Sequence, residues 1–137
     1  MNFKRRLLQQ PWALEWMLRI WGGKRILKDY FLSRSLSIGV PLADILDAFN
    51  KIRSMTHWVK SWYSLGIRRQ SLAEEAEKDE MSRSATALWM MARAAFHMAQ
   101  FPFFGNPTLK QKIYQRCANA YLKAAPHLDP PARRIEI

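Results

Sequence analysis

Apolar residues recur along most of this chain at intervals of three and four, the spacing that lines one face of an α-helix. Trp12, Trp16 and Ile20 stand four apart behind Pro11, whose missing N–H does no harm in a first helical turn, and Gly22-Gly23 ends that stretch. A short basic helix is predicted from Lys24 to about Ser33, with Ile26, Leu27, Tyr30 and Phe31 on one side, followed by a break from Ser35 to Val40. Pro41 opens the next helix, and Leu42, Ile45, Leu46, Phe49 and Ile52 form its amphipathic face. Ser54 is placed as an N-cap for a stripe of Met55, Trp58, Val59 and Trp62. Gly66 marks an expected interruption or kink before Leu72, Ala73 and Ala76 resume the stripe, which the turn around Lys78-Asp79-Glu80 ends.

The strongest pattern begins at Ser82 or Ser84. Ala85, Leu88, Trp89, Ala92, Ala95, Phe96 and Ala99 share one face, while Ala87, Met91, Ala94 and Met98 share another. Two apolar faces predict a helix packed on two sides, hence the central element. Phe101-Pro102-Phe103-Phe104-Gly105 closes it as an aromatic loop, from which three rings cannot all point inward. Asn106 and Pro107 form an N-cap and N1 pair before a stripe of Leu109, Ile113, Cys117, Ala120, Tyr121 and Ala124, and Pro126 stops it. The fold class is therefore all-α, an antiparallel bundle of five to seven helices. At its end Arg133-Arg134-Ile135-Glu136-Ile137 starts to alternate like a strand, a stub with nothing to pair with, so a sheet protein continuing past Ile137 is expected. Residues 1–38 read as basic N-terminal helices, 39–126 as the main helical domain and 127–137 as a linker toward the absent sheet.

Composition refines this picture. With 137 residues, 49% hydrophobic and 24% charged, the chain is a single packed domain and not a disordered one. Six Trp, seven Phe and four Tyr exceed what a small helical core needs, so some rings are expected at an interface or cleft. Lys and Arg outnumber Asp and Glu by 22 to 11, a net +11 that favours anionic partners. The excess is concentrated in residues 1–40, whereas Glu74 to Glu80 is acidic. Trp12, Trp16, Trp21 and Tyr30 among the basic residues offer charge plus stacking for nucleic acid, yet no nucleic-acid motif accompanies them and solvated helix faces explain them more simply. A lone Cys117 excludes an internal disulfide and fits a reducing cytoplasm. Gln9, Gln10, Pro11 and Glu15 interrupt any signal-like apolar run, and no stretch approaches a bilayer span, so no membrane is expected as partner.

Catalytic signatures are missing. None of Gly22, Gly23, Gly39, Gly66 and Gly105 brackets a serine as in Gly-x-Ser-x-Gly, and there is no phosphate-cradling loop, dinucleotide fingerprint or metal-spaced cluster. No catalytic residue, cofactor or metal site is therefore assigned. His57, with Arg53 one turn earlier, reads first as a helix-surface residue, His97 as a half-buried structural one, His127 as a loop residue and Cys117 as a structural thiol. Trp58 and Trp62, one turn apart, read first as core. Their alternative role is the wall of an apolar cleft, and with His57 they are the substrate-cleft candidates.

From Gly39 onward the order of features resembles the N-terminal helical domain of a group of α/β-hydrolases that includes FrsA-like esterases, C–C hydrolases of the 2,6-dihydroxypseudooxynicotine hydrolase type and fungal polyketide-shortening hydrolases. The resemblance is carried by Gly39-Val40-Pro41-Leu42-Ala43-Asp44, Trp58-Val59-Lys60-Ser61-Trp62, and Ser84-Ala85 with the Ala-rich helix through Phe101. Tyr121-Leu122-Lys123-Ala124-Ala125-Pro126, Pro130-Pro131 and Arg134-Ile135-Glu136-Ile137 complete it. It implies a cap laid over the catalytic sheet, closing a substrate cleft and helping to form a homodimer, with a serine-dependent catalytic domain as partner. That domain is absent from this chain, which is thus expected to be inactive alone. The rival expectation is a stand-alone tetratricopeptide-like interaction module, against which no clear 34-residue repeat is found.

Overall fold

The computed structural model describes residues 24–101 and 105–133, with Trp12 and Ile135 in addition; of residues 24–30 it describes the helical backbone. Trp12 is helical and exposed, while the rest of the predicted first helix with its Gly22-Gly23 stop, Trp21, the loop residues Phe103 and Phe104, and Arg134, Glu136 and Ile137 lie outside the described residues. The described part is all-α. Its five α-helices are α1 (Lys24–Ser37), α2 (Leu42–Lys51), α3 (Met55–Lys78), α4 (Ser82–Gln100) and α5 (Pro107–Ala124), followed by a 3-10 turn at Ala125–His127. No described residue is in a strand, and Pro131 to Arg133 and Ile135 carry no regular structure, so the expected strand stub is not seen there.

The helix ends follow local chemistry. Ser54 Oγ accepts the His57 N–H at 3.2 Å, and Asn106 Oδ1 accepts the Leu109 N–H at 3.0 Å, each satisfying an amide that the first turn leaves open. At the end of α3 the Met81 N–H reaches the Ala76 carbonyl at 2.9 Å and the Glu80 N–H reaches Glu77 at 3.2 Å, with Glu80 at φ 59°. This pair of bonds closes the helix on a left-handed residue, here a glutamate where glycine is usual.

Two expected interruptions are corrected. Helix α1 continues through Ser35 to Ser37 because Ser35 Oγ donates to the Phe31 carbonyl at 2.7 Å and Ser37 Oγ to the Arg34 carbonyl at 2.8 Å, so the hydroxyls are satisfied within the helix and the turn comes only at Ile38–Gly39. Helix α3 runs unbroken through Gly66, whose role is close approach: a Cβ there would stand 2.5 Å from Cε1 of Phe96.

Contacts along the helices fix their directions. Trp58 meets Met98, Gly66 meets Phe96 and Glu77 meets Trp89, so α3 and α4 are antiparallel. Cys117 meets Arg93 and Lys123 lies over Trp89, so α4 and α5 are antiparallel too. Consequently α3 and α5 run parallel, side by side against α4, bridged by Gln70 to Arg116 and Glu77 to Lys123, each pair 46 residues apart. As its two apolar faces predict, α4 is central: Ala85, Trp89, Ala92, Ala94, Ala95, Phe96, Met98 and Ala99 are all buried. Helix α2 packs on α3 through Ile45 and Phe49 and leaves Leu42 and Leu46 exposed, so that with Ile52 three of the five residues of its predicted stripe are core.

Candidate functional site

Two grooves flank α3. The first, between α2 and α3, has a volume of about 330 Å³ and is polar, with Asp44, Asp47, Lys51, His57, Lys60 and Arg68 around it. Asp44 is buried, yet it accepts a hydrogen bond from Arg69 Nε at 2.9 Å and a second from Arg69 Nη2, and Arg68 Nη2 lies 3.6 Å from its other oxygen. A buried carboxylate is tolerable only when paired and hydrogen-bonded in this way, so Asp44 ties α2 to α3. Asp47 is bound by Lys51 Nζ at 2.7 Å, and that hydrogen bond, aided by the charges of Lys51 and Arg68, holds its carboxyl below the usual range against slight desolvation. His57 and Lys60 line the same groove without an ion pair among the described residues, and Ser61 and Ser64 add hydroxyls. No hydrogen bond joins His57 to either serine among the described residues, and the groups that line the groove can bind and orient polar ligands.

The second groove lies between the parallel helices α3 and α5. Val59, Tyr63, Leu109 and Ile113 form an apolar section of about 380 Å³, which continues past Lys112 and Arg116 into a more polar section of about 490 Å³. Arg116 sits over the Tyr63 ring at 5.7 Å, partly covering the join.

The three cleft candidates do not come together. His57 is exposed at the polar groove, whereas Trp58 and Trp62 retain only 1% and 0% of their surface and lie in the core. Trp58 packs edge-on to Phe31 at 4.7 Å and donates from Nε1 to the Met98 carbonyl at 2.7 Å; Trp62 packs on Phe49 at 6.1 Å. His97 is half-buried, with Nε2 3.4 Å from Nη2 of Arg34, a neighbour 63 residues away that periodicity does not disclose. Cys117 is half-buried as well; its thiol donates to the Arg93 carbonyl at 3.4 Å, and burial pushes its pKa up, which suits a structural thiol. Among the described residues no group of three or more His, Cys, Asp or Glu side chains is arranged to hold a metal, and no helix is long and apolar enough to cross a membrane.

The class defined so far is an all-α bundle with surface grooves and no catalytic constellation among its described residues. Its sequence is similar to that of the 2,6-dihydropseudooxynicotine hydrolase of Paenarthrobacter nicotinovorans, at 34% identity over 99 residues. The match covers 72% of this chain but only 26% of the relative, so the chain corresponds to a small part of that hydrolase's length and is distantly related to that part. No family model and no solved structure matches the chain.

Proposed function

We propose that this chain is the helical cap of an α/β-hydrolase of the esterase or C–C hydrolase type, which shapes a substrate cleft, contributes dimer contacts and performs no bond chemistry itself. The observation that carries the proposal is the 99-residue likeness to a hydrolase whose remaining length has no counterpart here. Supporting it are the absence of a Gly-x-Ser-x-Gly turn from the sequence and the exposure of Ile135, 80% open beyond the bundle and free to meet another layer. In the proposed assembly a serine-dependent catalytic domain is the partner, in the cytoplasm. The helices exclude water above it; His57 is the cleft candidate that faces solvent, and Trp58 and Trp62 stiffen the wall from within. The reading frame beyond codon 137 provides the test. An in-phase or frameshifted stretch encoding Gly-x-Ser-x-Gly supports the cap, and an unrelated gene after a clean stop contradicts it. The purified chain is expected to leave p-nitrophenyl esters uncleaved.

One observation favours a second function. Parallel α3 and α5 against an antiparallel α4 is the arrangement of stacked helical hairpins in interaction scaffolds, here with an offset of 46 between bridged residues in place of the 34 of a tetratricopeptide repeat. A stand-alone tetratricopeptide-like module would use the groove between α3 and α5 for a partner, and it requires the clean stop that the cap excludes.

A further inference from the structure

At the junction of α1 and α4, basic side chains converge, and among the described residues no carboxylate pairs with them. Arg34 of α1 brings Nη2 to 3.4 Å from Nε2 of His97, and its guanidinium lies 4.0 Å from the centre of the Phe101 ring. The His97 imidazole stacks on the same ring, with centroids 6.0 Å apart and planes 12° apart. Arg93, one turn before His97, donates from Nη2 to the Ile38 carbonyl at 3.0 Å. The Nε–H groups of Arg34 and Arg93 are both buried without an acceptor. Ion pairs of the described residues join Asp47 to Lys51, Asp44 to Arg68 and Arg69, and Glu77 to Lys123; none reaches Arg34 or Arg93. From α5 the group facing this corner is Cys117, whose thiol bonds to the backbone of Arg93.

Sequestered guanidinium N–H groups normally find an anionic oxygen, and the planar fork of arginine matches carboxylate and phosphate oxygens two at a time. Here Arg34 and Arg93 flank an imidazole whose pKa is lowered by burial and then by both arginine charges; a guanidinium only donates, so His97 Nε2 accepts from Arg34. An anion entering between them would accept from both arginines and favour protonation of His97, converting the imidazole from acceptor to donor. We propose that Arg34, Arg93 and His97 form a binding site for an oxyanion, the carboxylate or phosphate group of a ligand. The site stands whether or not the chain caps a hydrolase.

The test is NMR observation of the His97 ring in the full chain during separate titrations with sodium phosphate and sodium acetate, each against sodium chloride at equal ionic strength. A saturable shift at His97 is expected, with its titration midpoint raised by about one pH unit or more at saturation. Saturation by phosphate alone identifies a phosphate-bearing ligand, by acetate alone a carboxylate, and by both a site that accepts either. Arg34→Gln and Arg93→Gln should each abolish the saturable shift while the helical circular dichroism persists. If either variant fails to fold, Arg34→Lys keeps the charge but loses the fork, and should weaken binding about tenfold. The proposal is overturned if neither anion exceeds chloride, or if a folded Arg34→Gln or Arg34→Lys chain binds as the parent does.

Discussion

Helix α3 has two unlike borders. Toward α4 the seam is closed and apolar: Trp58, Trp62, Leu65, Gly66, Ala73 and Ala76 face Ala85, Trp89, Ala92, Phe96 and Ala99, all buried, and Gly66 lets the two backbones draw together over Phe96. Toward α5 the border is held by Gln70–Arg116 and Glu77–Lys123 at exposed positions, and a groove opens where side chains do not meet. The α1–α4 corner is likewise charged, with Arg34, Arg93 and His97. Small and aromatic residues in register make a seam that excludes water and fixes the fold, whereas long charged side chains bridge helices while leaving room between them. Tight packing and open grooves thus lie on different sides of the same helices.

Substitutions can break this contrast, beginning with the closed seam. Trp58→Ala removes a buried ring and leaves the Met98 carbonyl without its donor, and should cost about 3–5 kcal/mol in chemical unfolding. Gly66→Ala should cost about 1–3 kcal/mol, although alanine is the better helix former, because its methyl meets the Phe96 ring. A gain in stability would show that the seam is looser than described.

The charged corner should give a smaller, pH-dependent effect. His97 is held below its ordinary pKa of 6.5 by burial and then by Arg34 and Arg93, so the unfolded chain takes up the proton first. Its contribution to stability is complete above about pH 6.5 and declines as the pH falls from there toward the lower folded value. Thermal melts of His97→Gln against the parent should therefore converge as the pH is lowered through that range. At the open border Lys123→Ala breaks an exposed ion pair with Glu77 and should change stability by only about 0.2–1 kcal/mol. A loss as large as that of Gly66→Ala would erase the distinction between the two borders.

Much of this was legible in the sequence because helix periodicity, proline at first turns and the Ser54 and Asn106 caps are local signals. The central role of α4 followed from its two apolar faces. Gly66 and Ser35 were misread for one reason: each satisfies a condition invisible to local propensity, the approach of Phe96 from another helix and a hydroxyl bond back to Phe31. The first readings of Trp58 and Trp62 as core and of His57 as a helix-surface residue hold; the alternative that grouped the three at one cleft wall does not, because the two rings are buried and His57 is not. The corner of Arg34 and His97 joins positions 63 residues apart, and only tertiary packing brings them together.

The proposed cap function is tested most directly by a graft. The segment of the Paenarthrobacter hydrolase that matches this chain over 99 residues would be replaced by its counterpart from this protein, and turnover of that enzyme's own substrate measured. Retained hydrolysis is expected, with KM altered by the new cleft wall. A graft that folds yet is as inactive as one carrying an unrelated helical bundle in the same place would contradict the cap.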